Sequence, residues 1–535
     1  MATLSPARLP IRPGNLRGTT RGNNHFAPTH MATSEDFALT RLPASFIPPI
    51  TLDTTSETPL YRQISVWFQR AILAGQLQPG QRVPSTRALA KALRISRIPV
   101  LSAYELLIAE GYFQPFVGAG TCVSQSIPDA MCRADRESLP NTTSIETESS
   151  GRRAVSRRAA DMKGSAQAWL DPCRGCTDLD HFPIGVWSRL INRHARKISR
   201  DIMGYGDPMG YAPFREAVAE YLGAFRAVTC DPSQILVTTG AQQGLMISAL
   251  TLLDPRDEVW IEEPGYPGTQ LALLAAGARM VPVPVDGEGL IVERGIGMAK
   301  RARAAFVAPS HQFPLRTTLS AARRMELLGW AARAGAWIVE DDYDSEFRFS
   351  GNPLASLQGI DTEGRVIYVG TLTKVMFPSL RLGYIVVPKD LVSDFLNIRN
   401  ANDTFATSVL PQMAMTDFMR EGHFSRHIKR TRAVYMERRR ALAAAIASGA
   451  DGLLEVAGDD AGMFVLALVP PGVDDMEVVA RARQAGIKAN ALSQCYLGPP
   501  ARGGLQLDYA TCNLKDIPAK INALKSIIEA CRPKH

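Results

Sequence analysis

The sequence predicts an α/β protein in which a small N-terminal winged helix-turn-helix domain precedes a large domain built on a mostly parallel sheet. Short apolar, β-branched runs alternate with helical stretches along residues 166–535. A compact basic block with three helical patterns comes before them, at residues 58–125. A chain of 535 residues is also too long for one hydrophobic core, so at least two domains are expected.

The composition is that of an ordinary soluble protein, with 46% apolar and 21% charged residues. No run of 18 apolar residues is present, so we expect no membrane span. The net charge of +8 permits an acidic partner such as nucleic acid without requiring one. Eight cysteines in a chain of this length predict reduced thiols and a cytoplasmic protein without a metal site. Cys173 and Cys176 form one C-x-x-C pair, for which a metal or redox role is the alternative.

Two segments are predicted to lack a folded core. Residues 1–57 form a disordered N-terminal extension, because Pro, Gly, Asn and Arg punctuate its first 45 residues and no acid precedes Glu35. An organelle transit peptide is the alternative, and Met31 offers a later start than Met1. Residues 126–165 are rich in Ser, Thr, Glu and Arg and are expected to form a flexible linker.

The block at residues 58–125 reads as three helices followed by a short hairpin. Gly75 ends the first helix, and Ser85 and Ser96 are N-caps of the second and third. The expected helices span about residues 60–75, 86–93 and 97–110. In a winged helix-turn-helix the third helix enters a major groove and the wing follows the DNA backbone.

Arginines at the groove end of the third helix are the candidate DNA contacts. Arg97 lies in its first turn and Arg87 on the preceding helix, where a guanidinium can hold a guanine edge or a phosphate. Solvated surface charges are the alternative for both residues. The complete set of expected contacts to double-stranded operator DNA is Ser85, Arg87, Ser96, Arg97, Gly118 and Gly120.

The same block resembles the GntR-type winged-helix family. The resemblance is carried by "PLYRQI", "GQLQPGQRVPSTRALA", "SRIPVLSAYELLIAEGY" and "GAG". Pro99 departs from it, because that family often has threonine there. Proline is tolerated in the first turn of a helix, but it removes a hydroxyl that could touch phosphate.

In the large domain, one lysine lies in an otherwise apolar stretch, "YVGTLTKVMFPSLRLGY". A structural ion pair is one interpretation of Lys374. The other is a desolvated lysine that forms a Schiff base, with Thr371, Thr373 and Arg381 binding a phosphate. A cofactor with an aldehyde and a phosphate, pyridoxal 5'-phosphate, satisfies the second interpretation.

Pyridoxal phosphate would also need residues that bind its ring nitrogen, phenolic oxygen, phosphate and ring face, and other stretches of the sequence supply each of them. Asp341, at the end of "WIVEDD", would pair with the pyridinium nitrogen, and Tyr343 could reach the phenolic oxygen. Ala241 and Gln242 open a helix whose N-terminus suits the phosphate. Tyr266, in "EEPGYPG", would stack on the ring.

Residues 166–535 also resemble fold-type I aminotransferases, and with the head they resemble MocR/GabR-type regulators, which fuse the two domains. The stretches that carry the resemblance are "YGDPMGYAPFREAVAEYL", "TTGAQQGL", "EEPGYPG", "PSHQFPL", "IVEDDYDSEFRF", "YVGTLTKVMFPSLRLGY" and "EGHFSRHIKRTRAVYMERR". The resemblance implies aldimine chemistry on Lys374. It places His311 and Gln312 near the cofactor phenolate, and Tyr205 in the site of the neighbouring subunit of a homodimer, for which domain swapping is an alternative arrangement.

Two positions depart from the family. Arg316 stands where a glycine is usual, which predicts an altered loop or a new charge at the pocket edge. Gln506 occupies the slot of the arginine that binds the substrate carboxylate, with Arg502 close enough in sequence to replace it. The ligand is therefore expected to differ from an ordinary α-amino acid held by its carboxylate.

These observations favour a regulator of transcription whose large domain senses an amine, an amino acid or pyridoxal phosphate itself. The rival hypothesis is an active aminotransferase that carries a DNA-binding head, and partial or vestigial transamination is compatible with both. A third is a ligand-independent DNA-binding protein that uses the large domain to dimerise. The sequence identifies neither the effector nor the operator.

Overall fold

The computed structural model of the protein describes residues 48–116, 120–125, 155–167, 175, 177–349, 355–403, 408–450 and 452–532. The chain divides into two compact units, residues 1–152 and 153–535. The first contains the predicted head and the second the predicted large domain. Within the described residues, no helix has both the length and the apolar character needed to cross a membrane.

The head consists of three helices and a two-stranded antiparallel hairpin. Its elements are α1 (Leu60–Leu73), α2 (Thr86–Leu93), α3 (Arg97–Ala109), β1 (Phe113–Phe116) and β2 (Gly120–Val123). Ser85 caps α2, because its hydroxyl accepts a hydrogen bond from the Ala88 amide at 3.2 Å. Ser96 occupies the N-cap position of α3, but its side chain makes no capping hydrogen bond.

The folded head begins earlier than the predicted boundary at residue 58. Ile50 and Leu52 pack against the head core, and the Gln63 side-chain amide donates to the Asp53 carbonyl at 2.8 Å. The final residues of the predicted disordered extension are therefore part of the head. Residues 1–47, including Met31, lie outside the described residues.

The large unit contains a central sheet, a smaller sheet and the helices that cover them. Its helices are α4 (Arg157–Gln167), α5 (Ile184–Ala195), α6 (Arg200–Met203), α7 (Ala212–Arg226), α8 (Ala241–Leu252), α9 (Pro267–Ala276), α10 (Val292–Met298), α11 (Ala321–Ala334), α12 (Leu357–Ile360), α13 (Val392–Asn402), α14 (Val409–Arg420), α15 (His423–Gly449), α16 (Asp475–Gln484) and α17 (Ile517–Ala530). Its strands are β3 (Ile235–Thr238), β4 (Glu258–Glu263), β5 (Arg279–Asp286), β6 (Gly289–Leu290), β7 (Ala304–Val307), β8 (Trp337–Asp342), β9 (Val366–Thr371), β10 (Gly383–Val386), β11 (Glu455–Ala457), β12 (Phe464–Leu468), β13 (Ala489–Ala491) and β14 (Gly504–Asp508).

The central sheet has eight strands in the order β3-β10-β9-β8-β7-β4-β5-β6. The strands from β9 to β5 are parallel, whereas β10 runs antiparallel to both of its neighbours and β6 antiparallel to β5. Strands β3, β7, β8 and β9 are buried almost throughout, as expected for strands with helices on both faces. The predicted mostly parallel sheet is confirmed.

The smaller sheet is antiparallel, in the order β11-β12-β14-β13. Strand β12 pairs with β14, and Asn490 on β13 lies opposite Gln506 on β14. Helices α15, α16 and α17 pack against this sheet and share its hydrophobic core.

Helix α4 starts inside the stretch that the sequence predicts to be a linker. It begins at Arg157, and the Arg158 guanidinium donates to the Ala275 carbonyl at 2.8 Å, next to the end of α9. The last part of the 126–165 segment therefore belongs to the large unit. Residues 126–154 lie outside the described residues.

Candidate functional site

A cavity of about 370 Å³ lies where several strands of the central sheet end. Loops at the carboxyl ends of parallel strands meet at one edge of a sheet, which is the usual position for ligand sites in such folds. The cavity is lined by Gly175, Gly240, Ala241, Gln242, Tyr266, Phe313, Asp341, Tyr343, Asp344, Thr371, Thr373, Lys374, Arg381, Met463, Phe464, Asn490, Gln506 and Asp508.

Lys374 lies on the loop between β9 and β10 and is half-buried. Its Nζ donates to the Gly175 carbonyl at 3.1 Å. The approach is close, since a Cβ at Gly175 would lie 2.2 Å from Nζ, and Gly175 has a φ of +62°. A glycine at this point therefore lets the backbone reach the amine.

Five buried polar atoms of the lining residues have no hydrogen-bond partner: Asp341 Oδ1, the Tyr343 hydroxyl, Asp344 Oδ2, Thr373 Oγ1 and Asp508 Oδ2. The pKa of Asp341 is raised to about 7, mainly by burial and also by the charge of the neighbouring Asp342, while Lys374 opposes the increase. Buried polar groups are normally paired, so these atoms indicate that the cavity is built for a polar ligand.

Beside the lysine loop, the structure forms a cradle suited to a phosphate. Helix α8 begins at Ala241, after Gly240 with a φ of +122° and no side-chain cap. The exposed Arg381 lies against it, with its guanidinium 3.5 Å from the position of a Cβ at Gly240. The amides of a helix N-terminus and a guanidinium are both favourable for a dianion. Because the Gln242 side chain donates to the Gly268 carbonyl at 2.8 Å, the backbone of Gln242 is the part suited to the phosphate.

These groups fit pyridoxal phosphate. Asp341 would hold the ring nitrogen, Tyr343 the phenolic oxygen, and Tyr266 the ring face. Thr371, Thr373, Arg381 and the start of α8 would hold the phosphate, and Lys374 would carry the covalent link. The structure thus brings nine predicted residues to one cavity: Lys374, Asp341, Tyr343, Tyr266, Ala241, Gln242, Thr371, Thr373 and Arg381.

Three other predicted residues do not line the cavity. His311 is buried behind it, with Nδ1 2.9 Å from Asp344 Oδ1. The Gln312 amide donates to the Pro264 and Phe313 carbonyls at 2.7 Å, so it braces two loops and does not face a ligand. Tyr205 is 74% exposed and lies away from the cavity of its own chain.

The structure also places two arginines, Arg316 and Arg502, away from the edge of the cavity. Arg316 is not at the pocket edge: it is 1% exposed and donates to the Phe464 carbonyl at 2.8 Å and the Asp459 carbonyl at 3.2 Å. Its φ of +65° keeps the conformation that a glycine would allow. Arg502 does not replace the carboxylate-binding arginine, because it pairs with Glu455 at the surface, at 2.5 Å.

Sequence reasoning missed part of the wall. Phe313 packs edge-on to Tyr266, with ring centroids 5.5 Å apart, and it lies within the quoted stretch "PSHQFPL". Phe464 and Asn490 come from the smaller sheet, and no local pattern marks either residue.

In the head, the described candidate DNA contacts are at the surface. Arg87 and Arg97 are exposed at the beginnings of α2 and α3, and Arg97 Nε donates to Thr86 Oγ1 at 3.1 Å. At Gly120, which has a φ of +92°, a Cβ would lie 3.1 Å from the guanidinium of Arg82. The exposed Arg82 is thus a further cation near the wing that the sequence analysis missed. Gly118 lies outside the described residues.

Family models match both units. Residues 176–524 match the aminotransferases of class I and II, and residues 60–123 match the gntR family of bacterial regulatory proteins. The chain is 38% identical to a probable rhizopine catabolism regulatory protein, MocR, of Rhizobium meliloti. That match spans 89% of this chain and 95% of the relative. The chain belongs to the MocR-type family of regulators.

Other comparisons agree with this assignment. An HTH-type transcriptional regulator of Bacillus subtilis, YdeL, is 31% identical over 89% of this chain and 98% of its own length. Among solved structures, the α-aminoadipate aminotransferase LysN of Thermus thermophilus has a TM-score of 0.64 at 26% identity. That match covers 70% of this chain and 97% of LysN. As a MocR-type protein, the chain is a transcription regulator that joins a DNA-binding GntR head to a fold-type I domain, whose family depends on pyridoxal phosphate.

Proposed function

We propose that this MocR-type regulator binds pyridoxal phosphate on Lys374 and senses an amine that competes with this lysine for the cofactor. The observation that supports the proposal is the lysine-centred cavity with five unpartnered buried polar atoms in its wall, in the same chain as a winged-helix head. When bound, the cofactor supplies an aldehyde that links reversibly to primary amines.

The roles of the residues follow from their positions. Asp341 would accept a hydrogen bond from the ring nitrogen, Tyr343 would orient the phenolic oxygen, and Tyr266 and Phe313 would cover the ring. Arg381 and the start of α8 would hold the phosphate independently of Lys374. The Gly175 carbonyl accepts from the lysine amine and holds it at the mouth of the cavity.

The charges of the cavity favour an effector amine without a carboxylate. Of the lining residues that the structure describes, only Lys374 and Arg381 are cationic, and both are assigned to the cofactor. Asp344 and Asp508 contribute carboxyl groups, and burial raises the pKa of Asp508 to about 6. The Asn490 and Gln506 amides offer neutral donors and acceptors, so hydroxyl groups on the effector suit this wall better than an anion.

Control of transcription requires that the effector bind one arrangement of the two heads in a homodimer more tightly than another. We propose that α3 reads double-stranded operator DNA through Arg97, with Arg87 and Arg82 near the backbone. An active aminotransferase remains the competing function, and it requires release of an oxo product with turnover.

The experiment combines absorbance with operator binding. Full-length protein is saturated with pyridoxal phosphate and titrated with hydroxylated amines and α-amino acids, with and without its own upstream DNA. We expect a visible band that amines shift, together with a change in operator affinity. Lys374→Ala abolishes both responses, whereas Lys389→Ala, which removes an exposed lysine, preserves them. A spectral shift with steady product release and unchanged operator affinity would favour the aminotransferase.

A further inference from the structure

A second cavity, of about 480 Å³, lies within the same unit and shares no lining residue with the first. Its wall comes from α7, from the segment that follows β8, and from the first half of α15. The wall combines cationic side chains with aromatic and aliphatic ones. An organic anion needs both, because the cations bind its charge and the apolar groups contact its carbon atoms.

The charge balance of this wall is positive. Arg226 is neutralised by Asp342, at 2.7 Å. Arg348, Lys429 and Arg432 also line the cavity, and none of the three has a carboxylate partner among the described residues. The buried Nε of Arg348 has no hydrogen-bond partner. Among the described residues that line this cavity, Glu346 carries the one carboxyl group, and burial raises its pKa to about 7.

The apolar part of the wall determines which anions fit. Tyr221 and the half-exposed Phe225, from α7, and Ile428, from α15, contribute apolar surface to the cavity. Three cations without carboxylate partners favour a dianion over a single carboxylate, although Arg348 donates to Thr318 Oγ1 and Arg432 to the Arg348 carbonyl. Guanidinium groups also match the oxygens of a phosphate with two parallel hydrogen bonds.

We propose that this second cavity binds a small phosphate monoester with an apolar group, and that His311 links it to the first cavity. His311 lines the second cavity and Asp344 lines the first, and their side chains are joined by the 2.9 Å hydrogen bond. The other polar atoms of the pair, His311 Nε2 and Asp344 Oδ2, have no partner and are buried.

The link has a simple electrostatic basis. The imidazole has two nitrogens, so a phosphate oxygen that accepts a hydrogen bond from Nε2 would change how Nδ1 holds Asp344. Asp344 lies beside Asp341 and Tyr343 in the first cavity; burial raises the pKa of both groups, and the charge of Asp344 adds to the increase. The cofactor would therefore bind with a different affinity when the second cavity is filled.

Binding is tested by calorimetry on the full chain with phenyl phosphate as the probe, and with inorganic phosphate and phenol as separate arms. We expect phenyl phosphate to bind more tightly than either fragment. Lys429→Gln combined with Arg432→Gln should weaken it at least tenfold. Arg430→Gln, which removes an exposed charge from the same helix outside the cavity, should leave it unchanged.

Several results would contradict the proposal that the second cavity binds phenyl phosphate. Equal losses in the Arg430→Gln control would indicate unspecific attraction to a basic helix. Loss in Arg381→Gln, with the double variant unaffected, would place the probe in the first cavity. Weaker operator binding without any effect on phenyl phosphate would assign Lys429 and Arg432 to DNA. The calorimetric result does not depend on whether the protein binds pyridoxal phosphate, so the two proposals fail separately.

The link through His311 has its own test. The dissociation constant of pyridoxal phosphate is measured with and without saturating phenyl phosphate. We expect the two values to differ at least threefold in the wild type, and the ratio to approach one in His311→Asn, with a circular dichroism melt to check folding. A ratio of one in the wild type, or an unchanged ratio in His311→Asn, contradicts the link.

Discussion

Gln506 and Asn490 face each other across β14 and β13, and both side chains line the cavity that contains Lys374. The Gln506 amide donates to Cys495 Sγ at 3.4 Å and is 3% exposed. By the resemblance to aminotransferases, this amide pair would occupy the wall where those enzymes bind a substrate carboxylate, and we propose that this wall selects the effector.

Gln506→Arg is expected to change this selection. A guanidinium at this position can hold a carboxylate with two hydrogen bonds, so α-amino acids should shift the absorbance at concentrations at least tenfold lower than in the wild type. Carboxylate-free amines should bind more weakly, because a cation would face them. Gln506→Met serves as the neutral control. If α-amino acids shifted the absorbance of the Arg and Met variants at equal concentrations, position 506 would not select the effector.

Lys374→Ala should remove the visible band that forms on addition of pyridoxal phosphate. Arg381→Gln should retain the band but require more cofactor, by roughly tenfold, since one charged hydrogen bond contributes about 1.5–3 kcal/mol. Absorbance titration of the two variants measures both effects. If borohydride treatment of the wild type attached the cofactor to a different lysine, detected by mass spectrometry, the covalent assignment would be wrong.

Arg97→Ala should weaken binding to the upstream operator by about 1–3 kcal/mol if the side chain reads a base. The loss should be smaller on unrelated DNA, because phosphate contacts are insensitive to sequence. Arg62→Ala removes an exposed charge from α1 and is the matched control. Fluorescence anisotropy at two salt concentrations measures the affinities, and equal losses on both DNA sequences would assign Arg97 to the backbone.

The stability of the large unit should fall as the pH rises from about 5 to 8. Burial raises the pKa of Glu262 from 4.5 to about 8, so the folded state binds a proton that the unfolded state has already lost in this window. One such proton changes the free energy of unfolding by at most about 1.4 kcal/mol per pH unit. Glu262→Gln retains an acceptor for the Ala308 amide and should flatten the dependence, whereas the exposed Glu220→Gln should not. Urea midpoints at pH 5.5 and 8 provide the comparison.

Local signals were sufficient for much of this structure. Ser85 marks the start of α2, and Gly75 and Gly111 mark the ends of α1 and α3, because capping and a positive φ act on the adjacent turn of a helix. The three helices lie within two residues of the expected bounds. Nine residues of the Lys374 cavity were predicted because pyridoxal phosphate requires an amine, a carboxylate, an aromatic ring and phosphate-binding groups, and short stretches of the sequence supply each of them.

Other features depend on contacts between distant segments, which a local pattern does not contain. The sequence gives Arg316 as a departure from glycine but does not reveal where its charge goes. The guanidinium of Arg316 lies against Gly462, where a Cβ would be 2.6 Å from it. The absence of a side chain at Gly462 therefore makes room for Arg316. His311 was misplaced for a similar reason, since only the packed structure shows that Asp344 turns it away from the cofactor cavity.

Strand β10 runs antiparallel to β9, and the single connection between them, residues 372–382, holds both Lys374 and Arg381. The amine and the guanidinium that would fasten the same small molecule are thus inherited as one hairpin. Exchange of this segment between relatives would therefore transfer the Lys374 amine and the Arg381 guanidinium together. The residues of the β13–β14 wall would vary independently of them.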